Sequence, residues 1–376
     1  MRVDMRRVVE SRIRKAQKVL EESNLDGLLV TATDNVRFLT GERLYFSWDW
    51  YADGFAALLP KGKDPIPLST SYGRSGIGWK SYPFVPSPLV ADRWAQIFAG
   101  ILRNEGLAVG RIGLDYMPFA TCDALRKELP SIQLVPALEQ ILKSRAVKST
   151  DEIDLMKQAA KIVDIGQAAA RRASKPGISE KEVFGNAIQA MIAAGSEGPP
   201  FFELCSSGDR GLDDQLATNR RLKKGDLIWL DLGGVYEGYI GDEARTWLVG
   251  KPRPGARELY QALYEAHIAG IKTVKPGNRA SDVDYAIRQC LRESGYQDYP
   301  HSSGHGVGLK TVELPWVASK EELGDKDLLL QPGMILALEP KTYKKNVGSV
   351  GLEDMILVTD SGGQVLTKTG YLDELL

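Results

Sequence analysis

The chain has 376 residues, of which 43% are hydrophobic and 26% charged, so it can bury a large core and is too long for one ordinary domain. Its 48 lysines and arginines balance 49 aspartates and glutamates, which excludes a global field that would recruit nucleic acid or an anionic membrane and leaves a small peptide or small molecule as the expected partner. There is no run of 18 apolar residues, residues 1–17 are charged where a secretory segment needs an apolar centre, and Cys122, Cys205 and Cys290 form no paired motif; a cytoplasmic protein with reduced thiols is expected.

Along residues 1–147 an amphipathic opening is followed by β-rich runs starting at Gly27, Phe55, Ile112 and Ile132, and this alternation predicts an α/β domain. Between the first two runs lies an unusually aromatic segment with Trp48, Asp49 and Trp50. Ser149 and Glu152 then make a capping box, the signature of a helix start, and a long helical pattern follows. The boundary is placed there, giving domains 1–147 and 148–376.

The second domain contains an internal echo. Lys175-Pro-Gly, with Ser179 and Val183 after it, recurs as Lys275-Pro-Gly with Ser281 and Val283, and each copy runs into a helical pattern ended by glycine, Gly195 or Gly295. Ser179 and Ser281 are the expected N-caps. A duplicated half-domain is the simple reading.

Two β-hairpins follow from the apolar runs. With the turn of the first centred between Tyr236 and Glu237, Asp231 directly opposes Asp242, although Asp231 lies among Trp229, Leu230 and Leu232. With the second centred on Asn346, Glu339 opposes Glu353. Like charges paired on apolar strands are costly, so a cation is expected between them. His305 stands between Gly304 and Gly306, which are read as letting the backbone approach a ligand. One imidazole with four carboxylates is a hard, oxygen-rich set, suited to manganese above cobalt, zinc or iron and large enough to bridge two divalent ions. Calcium is disfavoured because its loop motif is missing, and the glycines at Gly233 and Gly234 do not open a helix as a dinucleotide or phosphate site requires.

These residues resemble the pita-bread metallohydrolases, the family of Xaa-Pro aminopeptidase, prolidase, methionine aminopeptidase and the metal-free creatinase. The resemblance covers most of the chain and rests on Asp231, Asp242 before Arg245-Thr246, His305 in Gly-His-Gly, Glu339 after Pro332-Gly333-Met334, and Glu353-Asp354. It implies a creatinase-like N-terminal α/β domain, a duplicated pita-bread C-terminal domain and a homodimer. It also implies hydrolysis of C–N bonds by a hydroxide bridging two divalent metals. Asp242 and Glu353 would bridge, Asp231 would complete one metal, and His305 and Glu339 the other; Glu339 would also act as general base.

Three positions depart from the pattern. Val312 stands where the peptidases carry a second histidine, no histidine follows the Ser-Gly before the first metal strand, and Gly351 replaces the usual arginine. Asp213 and Asp214 lie nearest the missing histidine and could hold a cationic substrate group, His301 is a substitute proton shuttle, and Trp48 could shape a pocket as this domain does in family dimers. Two other readings stay open: a small-molecule hydrolase or lyase of the creatinase or ectoine-hydrolase kind, and an inactive peptide-binding module.

Overall fold

The computed structural model describes residues 3–42, 55–69, 91–201, 204–211, 215–296 and 299–376. They fall into two compact units, Met1–Arg145 and Ala146–Leu376. Among the described residues no helix is long and apolar enough to cross a membrane.

The first unit is a five-stranded sheet with helices. Helix α1 (Met5–Glu22) starts where the Asp4 carboxylate accepts from the Arg6 backbone N–H at 3.0 Å, and Val8, Val9, Ala16, Val19 and Leu20 form its buried stripe. Strand β1 (Gly27–Val30), α2 (Thr33–Thr40), β2 (Phe55–Pro60), β3 (Ile66–Ser69), α3 (Ala91–Asn104), β4 (Arg111–Leu114), α4 (Phe119–Glu128), β5 (Gln133–Pro136) and α5 (Leu138–Ala146) complete it. The sheet order is β3-β2-β1-β4-β5, parallel from β1 through β5 and antiparallel on the β2 and β3 side. Every β-rich run read from the sequence is a strand here.

The second unit opens on α6 (Thr150–Ala173), with the Ser149–Glu152 capping box formed in both directions. It continues through α7 (Glu180–Ala193), β6 (Leu204–Ser207), β7 (Leu227–Tyr236) and β8 (Tyr239–Leu248). After these come α8 (Ala256–Thr273), α9 (Ala280–Glu293), β9 (Gly304–Gly306), β10 (Glu313–Val317), β11 (Ile335–Leu338), β12 (Lys341–Lys344), β13 (Gly348–Gly351), β14 (Asp354–Thr359) and β15 (Gly362–Val365). The sequence echo is structural. The Gly177 N–H donates to Leu222 and the Leu222 N–H to Ile178, while the Gly277 N–H donates to Leu330 and the Leu330 N–H to Asn278, so each half ties its Pro-Gly loop to a leucine in the same way. Both N-caps are bridged to that same segment, Ser179 to Arg221 and Arg279 to Leu329.

The second copy corrects the expected N-cap. Arg279, not Ser281, caps α9, with Asp282 answering its backbone N–H, and the Ser281 hydroxyl donates to Asp327 at 2.7 Å. Serine two residues late in the motif still finds a carboxylate, so its side chain gives no sign of the shift.

The first hairpin also departs from its expected register. Tyr236 pairs with Tyr239 across a two-residue turn, Glu237 at φ 48° and Gly238 at φ 82°, so Asp231 faces Ala244 and Asp242 faces Gly233. A turn with both central residues left-handed matches strand twist, and only Gly238 suits it without strain. Because the slip is by two residues, Asp231 and Asp242 keep a common face and become diagonal neighbours. In the second hairpin Leu338 pairs with Asp354 and Lys341 with Gly351, a continuous register that sets Glu339 opposite Glu353 about a turn at Asn346.

Gly238→Ala, which forces a side chain into the left-handed turn, is expected to cost about 1 kcal/mol in urea unfolding, whereas Glu237→Gly is neutral or stabilising. Equal destabilisation by both would contradict the turn as described.

Candidate metal centre

Asp231, Asp242 and His305 lie on strands, and Glu339 and Glu353 stand immediately past the end of β11 and before the start of β14. Asp231 lies at the middle of β7 and Asp242 on β8, both buried, with Leu230 and Leu232 turned into the core of the first half. His305 is the centre of β9, paired with Ala337 of β11 on one side and Trp316 of β10 on the other. Its glycine neighbours serve a purpose other than the one read from the sequence. A Cβ on Gly304 would lie 2.1 Å from the Ala337 carbonyl oxygen, and one on Gly306 equally close to that of Leu314, so they admit the flanking strands and not a ligand.

The functional atoms converge. Atoms of Asp242, His305 and Glu353 lie within 4.8 Å of one another, all buried. His305 Nδ1–H donates to the Gly306 carbonyl at 3.0 Å, which leaves Nε2 as an acceptor 3.4 Å from Glu339 Oε1 and 4.0 Å from Asp242 Oδ2. Among the described residues, Asp231 Oδ1 and Glu353 Oε2 are buried with no hydrogen-bond donor. Burial pushes Asp231 up to about 6 even with Lys341 opposing, and burial plus the neighbouring carboxylates drive Asp242 and Glu353 well above the carboxylate range. Burial works the same way on Glu339, but Lys341, His305 and His301 outweigh it and hold that carboxyl below its ordinary value. Orphaned oxygens, crowded like charges and an imidazole with its lone pair free fit divalent cations.

A polar layer lies behind these residues. The Arg245 guanidinium, fully buried, donates to Asp354 Oδ1 at 2.6 Å and to the Glu353 carbonyl at 2.6 Å. Asp354 also accepts from Thr367 (2.6 Å), Tyr371 (2.8 Å) and His267 (2.7 Å). Burial would raise Asp354, but Arg245 and His267 hold it well below the usual carboxylate range. The Glu353 N–H donates to Ala244 at 2.9 Å, joining β8 to the segment that carries Glu353. Metal ligands depend on such partners for orientation.

Sequence reasoning gave His267 no role, because a lone histidine in a helical pattern has no visible partner. Lys341 was missed too. Its ammonium lies 3.1 Å from Glu339 Oε2 and 3.9 Å from Asp231 Oδ2, with a side chain 6% exposed. The available signal was its spacing, two residues from Glu339 in an extended run, which puts both side chains on the same side. His301 stacks on Tyr299 with ring centroids 4.8 Å apart, its Nδ1–H donates to the Ser302 carbonyl at 2.7 Å, and its Nε2 is buried without a partner among the described residues. Trp48, Asp49, Trp50, Asp213 and Asp214 lie outside the described residues.

Comparison with known proteins agrees. Residues 154–360 match metallopeptidase family M24, and residues 12–147 match the creatinase/prolidase N-terminal domain. The chain is 34% identical to an Xaa-Pro dipeptidase of Pyrococcus horikoshii over 96% of its own length and 98% of the relative's. It is 29% identical to an uncharacterized peptidase of Bacillus subtilis, over 95% and 98%. Among solved structures, an Xaa-Pro dipeptidase from Bacillus anthracis has a TM-score of 0.81 at 25% identity, over 97% of this chain and 99% of that one. The prolidase from Pyrococcus horikoshii gives 0.81 at 26% identity, with the same coverage.

The chain therefore belongs to metallopeptidase family M24, with a creatinase-like first domain and a pita-bread second domain. It is a metal-dependent hydrolase of C–N bonds.

Because Asp231, Asp242 and Glu353 are raised, binding of a divalent ion such as manganese at neutral pH is expected to release protons. Calorimetry in buffers of different ionisation heat should show it, with affinity falling as pH drops toward about 6, where Asp231 titrates; pH-independent binding would contradict the raised values. Asp354 has the opposite sign. Its lowered folded value contributes stability that is full above the ordinary carboxylate range and lost as pH falls through the folded value. Asp354→Asn, which breaks a buried ion pair and leaves Arg245 only Glu243 at 2.9 Å as a charged partner, should cost about 3 kcal/mol at neutral pH and flatten the acid limb of the unfolding profile.

Proposed function

We propose that this chain is an Xaa-Pro dipeptidase or aminopeptidase that uses two divalent ions, manganese foremost, held by Asp231, Asp242, His305, Glu339 and Glu353. The observation that carries the reading is the buried cluster of four carboxylates and one imidazole with donorless oxygens, in a chain whose full-length relatives include an Xaa-Pro dipeptidase. Divalent ions in such a site acidify water and polarise a carbonyl oxygen. The chain's own groups do the rest.

Glu339 is the general base. It stays ionised because Lys341, His305 and His301 surround it, and it sits beside His305. His301 is the proton relay: burial and then Lys341 lower its pKa, so the ring is neutral near pH 7, and its unpartnered Nε2 can accept a proton. That role answers the loss of the family's second histidine at Val312. A homodimer follows from the family resemblance, and free thiols at Cys122, Cys205 and Cys290 suit the reducing cytoplasm. Asp213, Asp214 and Trp48 are proposed to contact substrate.

The test is hydrolysis of Xaa-Pro and Xaa-Ala dipeptides by manganese-loaded protein. Xaa-Pro cleavage is expected, abolished in Asp242→Ala and lowered about 10²–10⁴-fold in kcat by Glu339→Gln. His301→Ala should cost about 10²-fold, with a shifted acid limb of the pH profile. Inert dipeptides together with cleavage of a cyclic or guanidino amide would move the assignment to small-molecule hydrolysis.

A further inference from the structure

The centre of this chain contains a cation of its own. Lys341 is buried among the ligands, and its ammonium touches Glu339 and lies within reach of Asp231, while its other side rests 4.5 Å from the ring of Trp229. That indole is held where it is by the strand opposite. Lys341 and Gly351 are direct partners in the β12–β13 ladder, and a Cβ on Gly351 would lie 1.8 Å from Trp229 Nε1. Glycine at 351 therefore leaves room for Trp229, Trp229 forms the wall against which the lysine lies, and the ladder places the positive charge on position 341 instead of 351.

The charge is unevenly placed with respect to the ligands. Its contacts are with Asp231 and Glu339, whereas Asp242, His305 and Glu353 form a compact trio whose atoms already lie within 4.8 Å of one another. A divalent ion on that trio, with Glu339 turned toward His305, meets the lysine only across Glu339. An ion completed by Asp231 would share that carboxylate with an ammonium 3.9 Å away, and like charges so close in a dry site oppose each other strongly.

We infer that Lys341 is a resident competitor of the ion on the Asp231 side, so that this chain fills its centre in two unequal steps, with the second ion held weakly and admitted only when metal is plentiful. The inference rests on the two-ion reading above. Between the steps the lysine partly neutralises Asp231, and its hydrogen bond holds the Glu339 carboxylate in place. Lys341 is thus a positioning residue that acts through the ligands.

The experiment is a manganese titration of metal-stripped full-length protein, followed by calorimetry and elemental analysis, for the natural chain, Lys341→Met and Lys341→Arg. The natural chain should show one tight and one weak ion. Lys341→Met should tighten the weak ion by about tenfold or more and leave the tight one nearly unchanged, while Lys341→Arg, which keeps the charge, should preserve the inequality. Lys341→Gln keeps a donor for Glu339 and gives the same comparison if the apolar side chain is not tolerated. A neutral variant whose second ion is unchanged or weaker, or an arginine variant that behaves like methionine, overturns the inference. A natural chain that takes no metal overturns the two-ion reading itself, and two ions already equal and tight in it overturn only the role of the lysine. No step of the readout depends on which peptide is cleaved.

Discussion

Asp231, Asp242, Glu339 and Glu353 are buried against one another, and the repulsion among them is the constraint the second domain is built to meet. Solvent would relieve it, but apolar neighbours of these acids, Leu230 and Leu232 in one half and Leu338 and Leu352 in the other, are packed into hydrophobic cores. A fold that spends core packing to hold like charges together gains stability only when cations join them. The buried polar layer follows from the same constraint. Arg245 and His267 stabilise Asp354 as a carboxylate, Arg245 also grips the Glu353 carbonyl, and the two hairpins cannot then drift apart and dissipate the crowding.

Duplication explains how so dense a cluster is assembled. Each half contributes a helix pair and a hairpin, tied by the same hydrogen bonds at Gly177 and Gly277. The first hairpin supplies Asp231 and Asp242, and the second supplies Glu339 and Glu353. The β8 backbone meets the second hairpin at Glu353, and the Thr246 hydroxyl bridges to the Gly351 carbonyl at 2.9 Å, so the acids of one half face those of the other. His305 comes from a three-residue strand wedged between β10 and β11, where only glycine neighbours leave room for the adjoining carbonyls.

Much of this was legible in the sequence because strand periodicity puts residues two apart on one face. Glu339 and Glu353 could be paired outright, since the turn at Asn346 lies midway between them. The pairing of Asp231 with Asp242 was two residues out: a turn that tolerates Glu237 in a left-handed conformation leaves no motif as plain as Asn-Gly, and the parity of the error hid it. Lys341 was illegible for another reason. A lysine beside a Glu-Pro reads as surface charge, and its burial depends on Trp229 and Gly351, which lie far off in the chain. The Arg279 cap escaped because arginine is a poor N-cap by type, and here only the reciprocal bond from Asp282 marks it.

Anomalous diffraction at the manganese edge, from crystals grown with the ion, tests the central claim most directly. A peak within ligand distance of Asp242, His305 and Glu353, lost in Asp242→Ala, is the predicted result. Undiminished peptide hydrolysis in a chelator, with no peak among these carboxylates, would contradict the claim that their burial exists to hold metal.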